Sequence, residues 1–124
     1  MSILIIVTRG IDQTFKRTGR YIAFDEWAKL VESDPGLRIR TEPYVAANPA
    51  TREKIVMQTG QGDSEVEIGG EWVPFLRYRR GELTIRFTDE MDDPQDPVRN
   101  KIVAVAKALS ALITHDAGDE LLRW

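Results

Sequence analysis

The sequence predicts a single α+β domain over residues 1–124, in which a mostly antiparallel sheet of about five to six strands packs against two helices. Two observations favour this fold class: strand-like segments surround a central β-meander, and two segments have the periodicity of amphipathic helices. The chain has 124 residues, 42% of them hydrophobic and 30% charged, which is typical of one globular domain that buries a core. No linker, repeat or low-complexity tract divides it.

The first half of the chain predicts a strand, a loop, a helix and two further strands. Residues 3–7 are continuously apolar, as in a central strand buried on both faces, and residues 9–20 contain two glycines without a period, as in a long loop. A helix follows, since four apolar residues share one face: Phe24, Trp27, Leu30 and Val31. The sequence SDPG at 33–36 ends it. Alternation over 37–42 predicts a half-exposed strand, and 52–59 is another candidate strand.

The centre of the chain predicts two consecutive hairpins. Their turns are Gly69-Gly70 and Arg80-Gly81, where glycine supplies the positive φ that tight hairpin turns need. One continuous strand over 71–79 joins the two turns.

A long final helix is predicted from Asp96 and Pro97, as its N-cap and first residue. The apolar stripe assigned to this helix comprises Val98, Ile102, Val105, Leu109, Leu112 and Ile113. Residues 121–124 are predicted to be a short strand or a tail.

Charge and composition exclude several classes of function. The net charge is −3, and basic residues concentrate in 1–20 while acidic residues concentrate in 82–96, so we expect two electrically different sides. Without overall positive charge, non-specific nucleic-acid binding is disfavoured. The absence of cysteine excludes disulfides and thiolate metal ligands. The apolar run at 3–7 is too short for a signal peptide or a membrane span, so we expect a cytoplasmic protein without a membrane partner.

An acidic cluster precedes the final helix and comprises Asp89, Glu90, Asp92, Asp93 and Asp96. It is either the solvated lead-in to a helix or a surface for a basic partner. Capping explains Asp96, but it does not explain the density of like charges before it. No calcium loop is predicted, because the spacing differs from that of known loops and no glycine lies between Glu82 and Asp96. We therefore predict no metal site and no cofactor.

Catalytic constellations are not apparent. The only histidine, His115, stands beside Asp116, and could form an acid–base pair or be a favourable cation at the end of the last helix. Arg77, Arg79, Arg80 and Arg86 with Tyr78 could bind RNA or phosphate, but are better explained as the polar face of a strand, paired with nearby glutamates such as Glu82. Trp27 and Trp72 are predicted core residues, and Trp124 an exposed anchor for a partner.

Five segments together resemble a known group of proteins: DEWAKLVESDPGLR, NPATREKI, PFLRYRRGEL, DDPQDPV and DAGDE. They are similar to small stand-alone bacterial proteins of polymorphic-toxin gene clusters, which we associate with immunity function. The resemblance implies a non-catalytic protein that neutralises a cognate toxin or effector domain. An adaptor or chaperone for a secreted effector is an alternative, and a small hydrolase another.

The acidic surface suits such a role, because it can steer and complement a basic toxin cleft. The predicted partner-binding residues are therefore Asp89, Glu90, Asp92, Asp93, Asp116, Asp119 and Trp124.

Overall fold

A computed structural model describes residues 3–14, 16–40, 44–47, 50–51, 54–57, 62–116 and 121–124 of the protein. In chain order the elements are β1 Leu4–Thr8, α1 Phe24–Ser33, β2 Leu37–Ile39, β3 Tyr44–Ala47, β4 Lys54–Met57, β5 Ser64–Ile68, β6 Glu71–Pro74, β7 Arg77–Arg79, β8 Glu82–Arg86, a 3₁₀ helix Asp89–Asp92, α2 Pro97–Ala108 and β9 Leu112–His115. The predicted α+β class, with antiparallel strands and two helices, is confirmed.

The strands form a four-stranded sheet in the order β7-β8-β1-β9, a three-stranded sheet in the order β2-β5-β6, and the hairpin β3-β4. Every pairing between these strands is antiparallel. β1 lies between β8 and β9, as its apolar sequence predicts. The predicted burial of both faces is wrong: Ile5 and Val7 lie in the core, whereas Leu4 on the other face is 38% exposed. Helix α2 contacts β1, β5 and β9, so it packs against both of the larger sheets.

The strand predicted over 71–79 is interrupted at Phe75 and Leu76. Both side chains are buried, at 2% and 0% exposure, which a regular strand with one solvated face does not allow for consecutive residues. Both residues bond instead to one residue of β5: the Phe75 N–H donates to the Ser64 carbonyl at 2.9 Å, and the Ser64 N–H donates to the Leu76 carbonyl at 3.1 Å. The chain thus crosses from the three-stranded sheet to the four-stranded one.

Helix α1 begins after Ala23 and buries Trp27 and Val31, as its periodicity predicts. The indole Nε1 of Trp27 donates to the Gly62 carbonyl at 3.0 Å, which ties the helix to the segment preceding β5. In the first turn, Glu26 forms an ion pair with Arg9 of the 9–20 loop, and the hydrogen bond from Arg9 lowers the pKa of Glu26.

The predicted start of α2 is confirmed, and its predicted end is wrong. The Asp96 carboxylate accepts from the Arg99 N–H at 3.0 Å, and Pro97 is the first helical residue. The helix ends at Ala108, and Ser110 takes a left-handed φ of 52°. Such a φ cannot continue a right-handed helix, and the following residues, Leu112 and Ile113 among them, form β9. His115 therefore lies in a strand and not at the end of a helix.

Within the described residues, no helix has both the length and the apolar character to cross a bilayer.

Candidate functional site at one end of the four-stranded sheet

The acidic cluster forms a short 3₁₀ helix with one side inward. Met91 is buried at 3% exposure, whereas four neighbouring side chains are exposed: Asp89, Glu90, Asp92 and Asp93. We call these four residues the acidic turn. Since Met91 packs into the core, the surrounding carboxylates are held at the surface.

The side chain of Arg99, in α2, binds the backbone of the acidic turn. Its Nη1 atom donates to the carbonyls of Met91 and Asp92, at 3.2 Å each. Asp93 accepts from the Gln95 N–H at 2.9 Å. None of the four carboxylates forms an ion pair with any residue that the structure describes. The turn is thus fixed by contacts that leave its negative charges available.

Trp124 lies next to the same arginine. The guanidinium carbon of Arg99 is 5.0 Å from the Trp124 ring centroid, a cation–π contact. Trp124 is half-buried and packs against the core, which differs from the exposed anchor predicted for it. Leu121 forms an isolated bridge with Thr114, so the C-terminal residues extend along β9. Arg99 therefore links the C-terminal residue to the acidic turn.

Asp116 joins the same end of the sheet. Its side chain is exposed, and its Oδ1 accepts from the Leu4 N–H at 2.9 Å. Leu4 also pairs with Arg86, the last residue of β8. The acidic turn begins three residues later, at Asp89. Register thus places Asp116 and the acidic turn at one end of the sheet. Asp119 lies outside the described residues.

A cleft of about 700 Å³ borders the acidic turn, and we call it the β8 cleft. Its apolar wall is formed by Leu4, Phe75, Ile85, Met91 and Val98. Leu4 and its neighbour Ile3 are two of the exposed large apolar side chains, at 38% and 36%. This end of the sheet therefore combines an accessible apolar surface with unpaired carboxylates.

Three arginines also line the β8 cleft: Arg77, Arg79 and Arg86. Arg79 forms an ion pair of 3.1 Å with Asp63, and the Arg77 Nε lies 3.9 Å from the same carboxylate. Their expected pairing with an acidic residue is present, but the partner is the buried Asp63 and not Glu82. The cleft thus has arginines in its lining, and the acidic turn adjoins it at Met91.

Trp72 is not part of the core, contrary to the prediction. It is half-exposed, with the Arg38 guanidinium 4.3 Å from its ring centroid. Arg38 and Arg40 both pair with Glu65, whose side chain is 7% exposed. The arginine stacked on the indole explains why an aromatic residue can face solvent at this position.

His115 stands opposite Ile5 in the sheet and is half-buried. It does not line the β8 cleft. Within the described part of the chain, no three His, Asp or Glu side chains are grouped so that they could hold a metal ion.

Reasoning from the sequence found the acidic turn but missed the apolar surface beside it. Met91 was the available signal, since it is a lone apolar residue inside an acidic run, the pattern of a segment with one buried side. The contributions of Leu4 and Phe75 depend on strand pairing and left no comparable local signal.

Comparisons of the chain with models of known families, with curated proteins and with solved structures find no match.

Proposed function

We propose that the protein is a cytoplasmic immunity protein that binds a cognate bacterial toxin or effector domain and neutralises it by covering its active site. The observation that carries this proposal is the acidic turn: exposed carboxylates without ion pairs among the described residues, on a backbone fixed by Met91 and Arg99. The resemblance of five sequence segments to immunity-like proteins agrees with it. The protein would have no catalytic role of its own.

The surroundings of the acidic turn suit protein recognition. Interfaces combine an apolar centre, where most binding energy arises, with a charged rim. Here Ile3 and Leu4 supply exposed apolar surface, and the acidic turn and Asp116 supply charge at the same end of the sheet. A fixed scaffold also reduces the entropy lost on association.

Charge favours a basic partner. Carboxylates that form no ion pair keep their attraction for cations, and such attraction accelerates association more than it strengthens the final complex. Toxins that act on nucleic acid or on other anionic substrates have basic clefts, which are complementary to this surface. Association should therefore slow as salt concentration rises.

Affinity purification of the tagged protein from its source bacterium in moderate salt, followed by mass spectrometry, should identify one stoichiometric basic partner. Expressed alone, this partner should stop growth, and co-expression should restore it. If the partner is harmless alone and fails only to be delivered, the adaptor alternative is favoured. Recovery of no partner would oppose both and return attention to a hydrolase that uses His115.

A charge-reversal pair then tests the site. We expect Asp92→Lys with Asp93→Lys to slow association with the partner by about tenfold or more in low salt. The control is Glu67→Lys with Glu71→Lys, which changes net charge equally at two exposed residues of the β5–β6 hairpin. Equal loss in both double variants would show that overall charge, and not the acidic turn, governs binding.

A further inference from the structure

A second cleft, of about 670 Å³, lies at the other end of the four-stranded sheet. It is lined by the residues that follow β1 and by the β7–β8 turn, including Arg80, Gly81 and Glu82. β1 runs from Leu4, beside Asp116, to Thr8, which lines this cleft. Four steps along a strand span about 14 Å, so the two ends are separate surfaces. We call this second site the arginine cleft.

The arginine cleft contains three guanidinium groups without internal partners. Arg17, Arg20 and Arg80 line it, are exposed, and form no ion pair with the described residues. This differs from five other arginines, each of which pairs with a carboxylate: Arg9, Arg38, Arg40, Arg77 and Arg79. Three cations and a single carboxylate, that of Glu82, line the cleft, so its charged side chains have an excess of positive charge that attracts an anion of several charges.

An aromatic side chain stands at the same cleft. Tyr21 also lines it and is 66% exposed, the largest value among the exposed large hydrophobic side chains. Tyr21 packs closely against Gly81, since a Cβ on Gly81 would lie only 2.5 Å from the Tyr21 Cβ. The next residue, Ile22, donates its N–H to the Gly81 carbonyl at 2.8 Å. Tyr21 is thus anchored through its backbone and Cβ while its ring remains available for stacking.

The turn itself brings Arg80 into the cleft. Arg80 and Gly81 have φ of 49° and 82°, the pair of left-handed residues that closes a two-residue hairpin. Gly81 accepts this conformation without strain, and nothing larger fits against Tyr21. Glu82 follows directly and places a carboxylate in the cleft that no arginine among the described residues neutralises.

We propose that the arginine cleft binds a nucleoside diphosphate or triphosphate. The three guanidinium groups suit the phosphate oxygens, to which arginine can donate two parallel hydrogen bonds. The Tyr21 ring suits the flat face of a base. The Glu82 carboxylate can accept hydrogen bonds from ribose hydroxyls or base amino groups, a role that a ligand of phosphate alone would not use.

Direct titration tests the proposal on the whole chain, with ADP, GDP, pyrophosphate and adenosine followed separately by calorimetry. We expect saturable binding of a nucleoside diphosphate, weaker binding of pyrophosphate, and still weaker binding of adenosine. Arg17→Gln with Arg20→Gln should weaken nucleotide binding by about tenfold or more, since charge-assisted hydrogen bonds are lost. The control is Lys29→Gln with Lys107→Gln, which removes equal charge from two exposed helical residues outside the cleft and should leave affinity unchanged.

Tyr21→Leu separates base recognition from phosphate binding. Leucine keeps the Cβ that packs on Gly81 and removes the aromatic ring. Nucleotide affinity should fall by about tenfold while pyrophosphate affinity stays the same. The proposal is overturned if no nucleotide binds saturably at millimolar concentration, if pyrophosphate binds as tightly as the nucleotides, or if only single-stranded oligonucleotides bind, with affinity rising with their length.

Discussion

Met91 fixes the acidic turn, and its truncation gives a quantitative test of that role. Replacing a buried methionine by alanine typically lowers the free energy of unfolding by about 2–5 kcal/mol. Met91 is 3% exposed but also borders the β8 cleft, so the space left behind opens toward solvent and can be filled by water. We therefore expect Met91→Ala to lose about 2 kcal/mol, near the lower limit, which for a chain of this length lowers Tm by about 8 °C.

Urea denaturation followed by circular dichroism measures this loss, provided that the slope of the transition matches the wild type. Met91→Leu is the control, because it keeps apolar volume and should lose less than about 1.5 kcal/mol. If Met91→Ala were folded and lost less than about 0.5 kcal/mol, the residue would not anchor the turn. The acidic side chains would then have no fixed positions, and the argument for a prepared recognition surface would fail.

Two further predictions concern contacts that hold the elements around the core. Trp27→Phe should lower the free energy of unfolding by about 2–3 kcal/mol, because it leaves the Gly62 carbonyl without its indole donor and creates a small cavity. Urea denaturation measures this loss, and an unchanged transition midpoint would contradict the prediction. The hydrogen bond from Lys101 lowers the pKa of Asp34 below its ordinary value of 3.8, so the stabilisation is complete above about pH 4 and lost as pH falls through the lowered pKa. Asp34→Asn should therefore be less stable than the wild type by under about 1 kcal/mol at pH 6, with the difference in Tm narrowing as the pH falls below the ordinary pKa of 3.8; a difference that grew in acid would refute the assignment.

Elements with local signals could be predicted from the sequence. The start of α2 follows from Asp96 and Pro97, which act within one helical turn, and the two hairpin turns follow from Gly70 and Gly81. These residues set the backbone conformation by their own chemistry. The end of α2 could not be predicted in the same way, because Ser110 adopts a left-handed φ that serine rarely takes.

Features that depend on contacts distant in sequence were not predictable. The interruption at Phe75 and Leu76 requires knowing that Ser64 bonds to both. Residues 72–76 are continuously apolar and include Pro74, but a run of this kind does not by itself show where a strand is interrupted.

The candidate site shows the same division. Exposure of Asp92 and Asp93 follows from composition and proximity to a helix start. Their association with Trp124 through Arg99 does not, because it depends on where the C-terminal residues return. Likewise, Asp63 was not expected to be the partner of Arg79, because the sequence pattern does not indicate that this carboxylate is buried, at 1% exposure.

The acidic turn and the arginine cleft lie at opposite ends of one sheet, so the molecule has an electric dipole moment in addition to its net charge of −3. A charged body that approaches exerts a torque on such a molecule before contact, so cationic and anionic binding partners meet it in opposite orientations. The two ends of β1 are about 14 Å apart, which exceeds the Debye length of about 8 Å in physiological salt. Occupation of one pole therefore changes the field at the other only slightly, and the two poles can be engaged at the same time.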